Sequence, residues 1–228
     1  MFYFNRVKLL FLCMSILMIC SCQNKKIESE NMNKKEVDEK YGKVIILNGP
    51  SSVGKSSIIK AFQLKQTTPW LGTGIDHLYV GVIPLNWLDD KPEHRAIMSI
   101  ETLQDQNGHK IVKAVFGPEG EKVIKGMHRA IAAYAHAGNN LIIDYIKYEQ
   151  DWLADLQEVL KDIKVIWVGV TASLESIEQR EKKRATSPEG HARSHYDTVN
   201  GGINYDLILN TDSLTSEQAA DEIIKFVK

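Results

Sequence analysis

Residues 42–60 read GKVIILNGPSSVGKSSIIK. A continuous apolar run, Lys43–Asn48, leads into the pattern Gly49-x-x-x-x-Gly54-Lys55-Ser56, and the helix-forming residues SSIIKAF lead out of it. A strand, a glycine-bounded turn and a helix in that order make a phosphate-binding loop. Its glycines let backbone N–H groups turn around phosphate oxygens, and the helix N-terminus adds a favourable dipole. The nucleotide-binding set is therefore Gly49, Pro50, Ser51, Ser52, Val53, Gly54, Lys55, Ser56 and Ser57. Lys55 is placed to span the terminal phosphates and Ser56 to ligate Mg²⁺ through its hydroxyl. The bland alternative, a glycine-serine turn with a stray lysine, leaves the flanking strand and helix unexplained. ATP with Mg²⁺ is the expected cofactor.

Outward from the loop, short apolar runs alternate with helical patterns. Strands are expected at 43–48, 71–75, 140–144, 165–170 and 205–209, each too apolar to leave one face in water. Helical spacing covers 56–65, 120–136, 149–161 and 174–184, and a terminal amphipathic helix covers 216–227. The pattern predicts an α/β protein, a three-layer P-loop NTPase fold with a five-stranded parallel sheet and a lid segment. Between Gly81 and Phe116, prolines and the turn-like Gln106-Asn107-Gly108 interrupt the alternation. An irregular or hairpin insertion is expected there, with HKIVKAVFG as an extra strand.

Three further groups bear on chemistry. Asp76 ends the second strand, where position alone leaves it open between a general base and a helix cap. Asp144 ends the third after Leu-Ile-Ile, the place of a carboxylate that supports Mg²⁺. Arg180 and Arg184, four residues apart, share a helix face ahead of residues 185–190 and read as lid cations for a transferring phosphoryl group. The competing account is a solvated, salt-bridged helix, since Glu178, Glu181, Lys182 and Lys183 lie close by. His191 and His195 repeat the four-residue spacing without any cysteine or HExxH pattern, so they read as solvated lid histidines rather than metal ligands. The four tryptophans read as core or pocket-wall residues.

From Gly42 to Val227 the chain resembles the chloramphenicol phosphotransferase-like family of P-loop kinases. The resemblance is carried by VIILNGPSSVGKSSI, PWLGTGIDHL, FGPEG, AGNNLIIDYI, VIWVGVTASLESIEQREKKR and NYDLILNTD. It implies ATP-dependent phosphorylation of a hydroxyl, with chloramphenicol's primary hydroxyl as the family's named acceptor. It also implies that Asp76 is the general base, with Lys55, Arg180 and Arg184 as the other catalytic groups. Kinases of other metabolites or nucleosides, and a nucleotide-binding switch or lipoprotein without turnover, are the alternatives. The absence of Asn-Lys-x-Asp speaks against a guanine-reading switch, and a small-molecule acceptor is the expected partner.

The chain of 228 residues carries a net charge of -1, which gives no support to nucleic-acid binding. Its cysteines, Cys13, Cys20 and Cys22, all precede residue 23, so the body contains no thiol chemistry. Arg6 and Lys8 precede an apolar run, Leu9–Ile19, and Ile-Cys-Ser-Cys22 resembles a lipobox. Residues 1–22 are thus expected to be a signal peptide with lipidation at Cys22, and 23–42 a solvated linker. Residues 43–228 form the kinase domain. The protein would then be a membrane-anchored lipoprotein; translation from Met32 would instead give a cytoplasmic enzyme.

Overall fold

β1 (Val44–Asn48) is buried along its whole length, and its alternate residues feed two different cores. Ile45 and Leu47 pack with Ile142, Val168, Ile58, Phe62 and Ile223 on one face. Val44 and Ile46 pack with Leu141, Ile143, Ile124, Met127 and Trp152 on the other. A strand with two buried faces has to sit inside a sheet covered on both sides.

The computed structural model describes residues 40–87, 91–184 and 187–227. After β1 come α1 (Lys55–Leu64), β2 (Trp70–Gly74) and the short α2 (Ile75–Leu78). Next are β3 (Met98–Gln104), β4 (Lys110–Phe116), α3 (Pro118–His136), β5 (Asn140–Tyr145) and α4 (Gln150–Val159). β6 (Val165–Thr171), α5 (Leu174–Arg184), α6 (His191–His195), β7 (Leu207–Asn210) and α7 (Ser216–Val227) complete the body. Five strands form one parallel sheet in the order β2-β5-β1-β6-β7. One face carries α1 and α7, and the other carries α3 and α4.

The compact unit begins at Tyr41. Tyr41 packs edge-on against His136, and the Gly42 N–H donates to Ala135 O at 2.9 Å. Both residues, assigned to the linker by their composition, therefore belong to the ordered body. The expected signal peptide, the expected lipidation at Cys22 and nearly all of the expected linker lie outside the described residues. Among the described residues no helix is long and apolar enough to cross a membrane.

The insertion is an antiparallel hairpin pairing Met98 with Phe116 and Gln104 with Lys110. Its turn is built on Asp105, whose carboxylate accepts the N–H groups of Asn107 and His109, and on Gly108 at φ 80°. A hairpin is one of the two forms expected here, with only its second strand assigned, because the exposed, mixed residues 98–104 carry no continuous apolar run.

One close approach sets the geometry of the site. Gly74 faces Asp144 across β2 and β5, and a Cβ there would lie 2.2 Å from the Asp144 carbonyl oxygen. Only glycine lets the two strands meet this closely while turning at their carboxyl ends. Asp76 follows two residues later, in the first turn of α2 rather than at the end of β2 where the sequence suggested it.

Candidate active site

The phosphate loop joins β1 to α1 at the carboxyl end of the sheet, where ligands of open α/β sheets bind. Two residues in the loop carry left-handed backbone, Gly54 at φ 106° and Ser52 at φ 62°. α1 starts without a capping side chain and without an acidic residue in its first turn. Its first N–H groups and its positive dipole end are therefore left for an anion. Lys55 is 4% exposed, and its ammonium donates to Gly49 O and Pro50 O at 2.9 Å each. It also stands 3.4 Å from Asp144 Oδ1. A buried cation held by carbonyls is a ready partner for the oxygens of a polyphosphate.

Ser56 donates its hydroxyl to Asp144 Oδ2 at 2.7 Å. A hydroxyl and a carboxylate are the hard oxygen donors that Mg²⁺ selects, with phosphate oxygens completing its shell. Among the described residues no cluster of three or more His, Cys, Asp or Glu side chains is placed to hold a metal unaided. A cation here would depend on the nucleotide, as in phosphoryl-transfer sites generally.

Lys55, Ser56, Asp76, Asp144 and Arg184 line one cavity of about 310 Å³, within the range of small-molecule sites. Ile75, Val80, Met98, Ile100, Ala114 and Phe116 line its remainder, so the hairpin and α2 form an apolar wall. Tyr79, Tyr148, Ile146, His191, Ser187 and Pro188 line it too, with Ser51, Ser52 and Gly54 of the phosphate loop. Burial raises the pKa of both phenols; the carboxylates of Asp76 and Asp144 raise Tyr148 further, and Glu121 adds to the effect on Tyr79. Both therefore stay protonated hydrogen-bond donors.

Arg180 does not share this cavity. Its guanidinium donates to Thr211 Oγ1 at 2.8 Å, Thr211 O at 2.9 Å and Val53 O at 3.3 Å. It lines a separate recess with Gly54, Ser57, Thr211 and Leu214. The two arginines share a helix, but the 6 Å rise over four residues leaves only Arg184 at the cavity.

The lid histidines, which read as solvated in sequence, are drawn into the fold. His195 is 3% exposed, and its Nε2 accepts the backbone N–H of Ser51 in the phosphate loop at 3.1 Å. Half-buried His191 accepts the Tyr148 hydroxyl at 2.9 Å and donates Nδ1–H to Val112 O at 3.2 Å. Burial, aided by neighbouring His191 and Lys55, lowers the His195 pKa to about 3. Burial lowers that of His191 as well. Glu181 explains the arrangement: its buried carboxylate accepts Gly190 N–H and Ala192 N–H, both at 2.9 Å, and so folds α6 inward. In sequence Glu181 sits among charged residues and reads as solvated. A histidine pair that follows a glycine was the only signal available.

A family model described as chloramphenicol phosphotransferase-like protein matches residues 42–228. A relative in Mycobacterium tuberculosis, named "Putative O-phosphotransferase", is 30% identical over 182 residues, covering 80% of each chain. Among solved structures, the APS kinase of Mycobacterium tuberculosis in complex with AMPPNP and APS is 18% identical with a TM-score of 0.54. The match covers 82% of this chain and 98% of that one. The tunicamycin resistance protein of Deinococcus radiodurans is 18% identical with a TM-score of 0.56, covering 82% and 95%. At such identity these structures speak for the fold. Sheet order, phosphate loop and family match agree, and the chain belongs to the chloramphenicol phosphotransferase-like family of P-loop kinases.

Proposed function

We propose that the protein transfers the terminal phosphoryl group of ATP to a hydroxyl on an uncharged, apolar-bodied small molecule, of which chloramphenicol is the type. The observation that carries this proposal is the make-up of one cavity. Its charged groups are Lys55, Asp76, Asp144 and Arg184, serines of the phosphate loop and Ser187 add hydroxyls, and the wall made by Ile75, Val80, Met98, Ile100, Ala114 and Phe116 is apolar. An acceptor whose body is apolar finds a matching surface in Met98, Ile100 and Phe116, where an anionic group would meet no cation.

In this mechanism the acceptor oxygen attacks the terminal phosphorus, the bond to the ADP oxygen breaks, and Asp76 takes the hydroxyl proton. Lys55 and Arg184 offset the charge on the transferring group, with Arg184 closing from the end of α5. Ser56 and Asp144 are the residues that would hold Mg²⁺, which neutralises phosphate charge when bound. An acceptor seated on the apolar wall would displace water, which otherwise competes for the phosphoryl group.

The test is an ATP-consumption assay on the purified full chain with chloramphenicol, other neutral aromatic alcohols and anionic alcohols such as shikimate. Acceptor-dependent ADP release, with the phosphate recovered on a neutral alcohol, is expected. Turnover confined to anionic acceptors would refute the acceptor class, and ADP release indifferent to every acceptor would refute the transfer reaction. The lipid anchor is carried by the sequence around Cys22 alone. A fatty-acid probe should label the wild-type chain and not Cys22→Ser; label surviving that change discards the anchor.

A further inference from the structure

The turn that opens the phosphate loop is held from outside. The N–H of Ser51 is committed to His195 Nε2, and the next residue, Ser52, adopts a left-handed conformation that L side chains rarely take. Such a conformation persists only where its surroundings fix it. The hydrogen bonds also define the histidine's tautomer. An amide N–H can only donate, so Nε2 carries the lone pair and Nδ1 the proton. The Ser194 hydroxyl donates to His191 O at 2.7 Å, leaving its oxygen free to accept from His195 Nδ1 at 3.2 Å.

The same short helix is tied to the apolar wall. The Val112 N–H on β4 donates to Gly190 O at 3.0 Å, and His191 Nδ1–H returns a bond to Val112 O. Arg193 pairs with Asp105 at the tip of the hairpin at 3.2 Å and with Glu178 on α5 at 2.6 Å. Gly190, at φ 93°, permits the contact, because a Cβ there would lie 2.4 Å from Lys110 O. Tyr148 packs edge-on against His195, with ring centroids 4.9 Å apart, while its hydroxyl engages His191.

We propose that His195 is a positioning residue for the phosphate loop, and that α6 is the strut through which the hairpin wall of the acceptor cavity sets that loop's geometry. The inference rests on the kinase reading above and extends it. His195 touches neither phosphate nor acceptor in this scheme; it fixes the Ser51–Ser52 turn, from which the following amides are presented. The hairpin wall of the acceptor cavity and the phosphate loop are thereby joined through α6. Deep burial keeps the imidazole neutral, so its lone pair is available throughout the physiological pH range.

The test compares His195→Gln with His195→Asn in the full chain. Glutamine can place a carbonyl oxygen near the position of Nε2, whereas asparagine is too short to reach the Ser51 N–H. Calorimetric affinity for AMPPNP with Mg²⁺ is the readout, with unliganded melting temperature recorded alongside. The asparagine variant should bind about tenfold more weakly, and the glutamine variant within about threefold of wild type. Equal affinity in the two variants, whether retained or lost, overturns the positioning role. His191→Phe keeps a ring but removes both of the histidine's bonds, and should weaken AMPPNP binding although it makes no bond to the loop. Unchanged affinity in that variant overturns the strut. A wild-type chain that binds no AMPPNP would refute the kinase proposal and this inference together.

Discussion

The hydroxyl of Ser56 donates to Oδ2 of Asp144 at 2.7 Å, joining the first turn of α1 to the carboxyl end of β5. Lys55 stands 3.4 Å from the other oxygen of the same carboxylate. Asp144 thus faces both the residue expected to ligate the cation and the residue expected to hold the phosphates. Asp144→Asn keeps the shape and removes the charge. The Mg²⁺ concentration needed for half-maximal turnover should rise roughly 10- to 100-fold. A superimposable Mg²⁺ titration would rule out this role.

Asp76 is exposed and lines the same cavity as Asp144, two residues after the Gly74 approach. Asp76→Asn should lower kcat roughly 100- to 10,000-fold while leaving the affinity for ATP unchanged. Undiminished turnover would remove Asp76 as the base.

The separation of the two arginines gives a paired expectation. Arg184→Ala should lower kcat by roughly 10- to 1,000-fold with little effect on folding, as expected for a cation that acts on the transferring group. Arg180→Ala breaks the bonds to Thr211 O and Val53 O and should cost about 1–3 kcal/mol of stability in denaturant titrations. Equal losses of kcat in both variants, with stability unaltered, would contradict the division.

His195 makes stability depend on pH in a defined direction. Its folded pKa of about 3 lies below its ordinary value of 6.5. Between those values the unfolded chain binds a proton that the folded chain refuses. The contribution is complete above pH 6.5 and falls by about 1.4 kcal/mol per pH unit below it, until the folded value is reached. His191 and His128, also lowered by burial, act in the same sense. Denaturant titrations at about pH 7.5 and about pH 5.5 should therefore show a steeper loss for wild type than for His195→Gln, by about 1 kcal/mol. Parallel losses would show that His195 titrates normally in the fold.

Much of the fold was legible because its signals are local. The helices over 174–184 and 216–227 have the bounds expected from their spacing, and each of the five sheet strands overlaps an expected run. Asp144 stood out because the end of β5 is readable, and Asp76 because it follows β2 closely, although it lies in the first turn of α2. What escaped notice depends on partners distant in sequence. Glu181 reads as one charge among several, and only the N–H groups of Gly190 and Ala192 give it a reason to be buried.

By itself the sequence determined the phosphate loop, since a glycine turn between a buried strand and a helix dictates backbone chemistry within a few residues. It also determined the alternation of strands and helices, through the period of the apolar positions. The tertiary structure alone decided the strand order and the pairing of the hairpin that walls the cavity. It also separated Arg180 from Arg184 and seated His195 on Ser51, 144 residues away along the chain. Hydrogen bonds and burial at such separations depend on how whole elements pack, and no local pattern of residues encodes them.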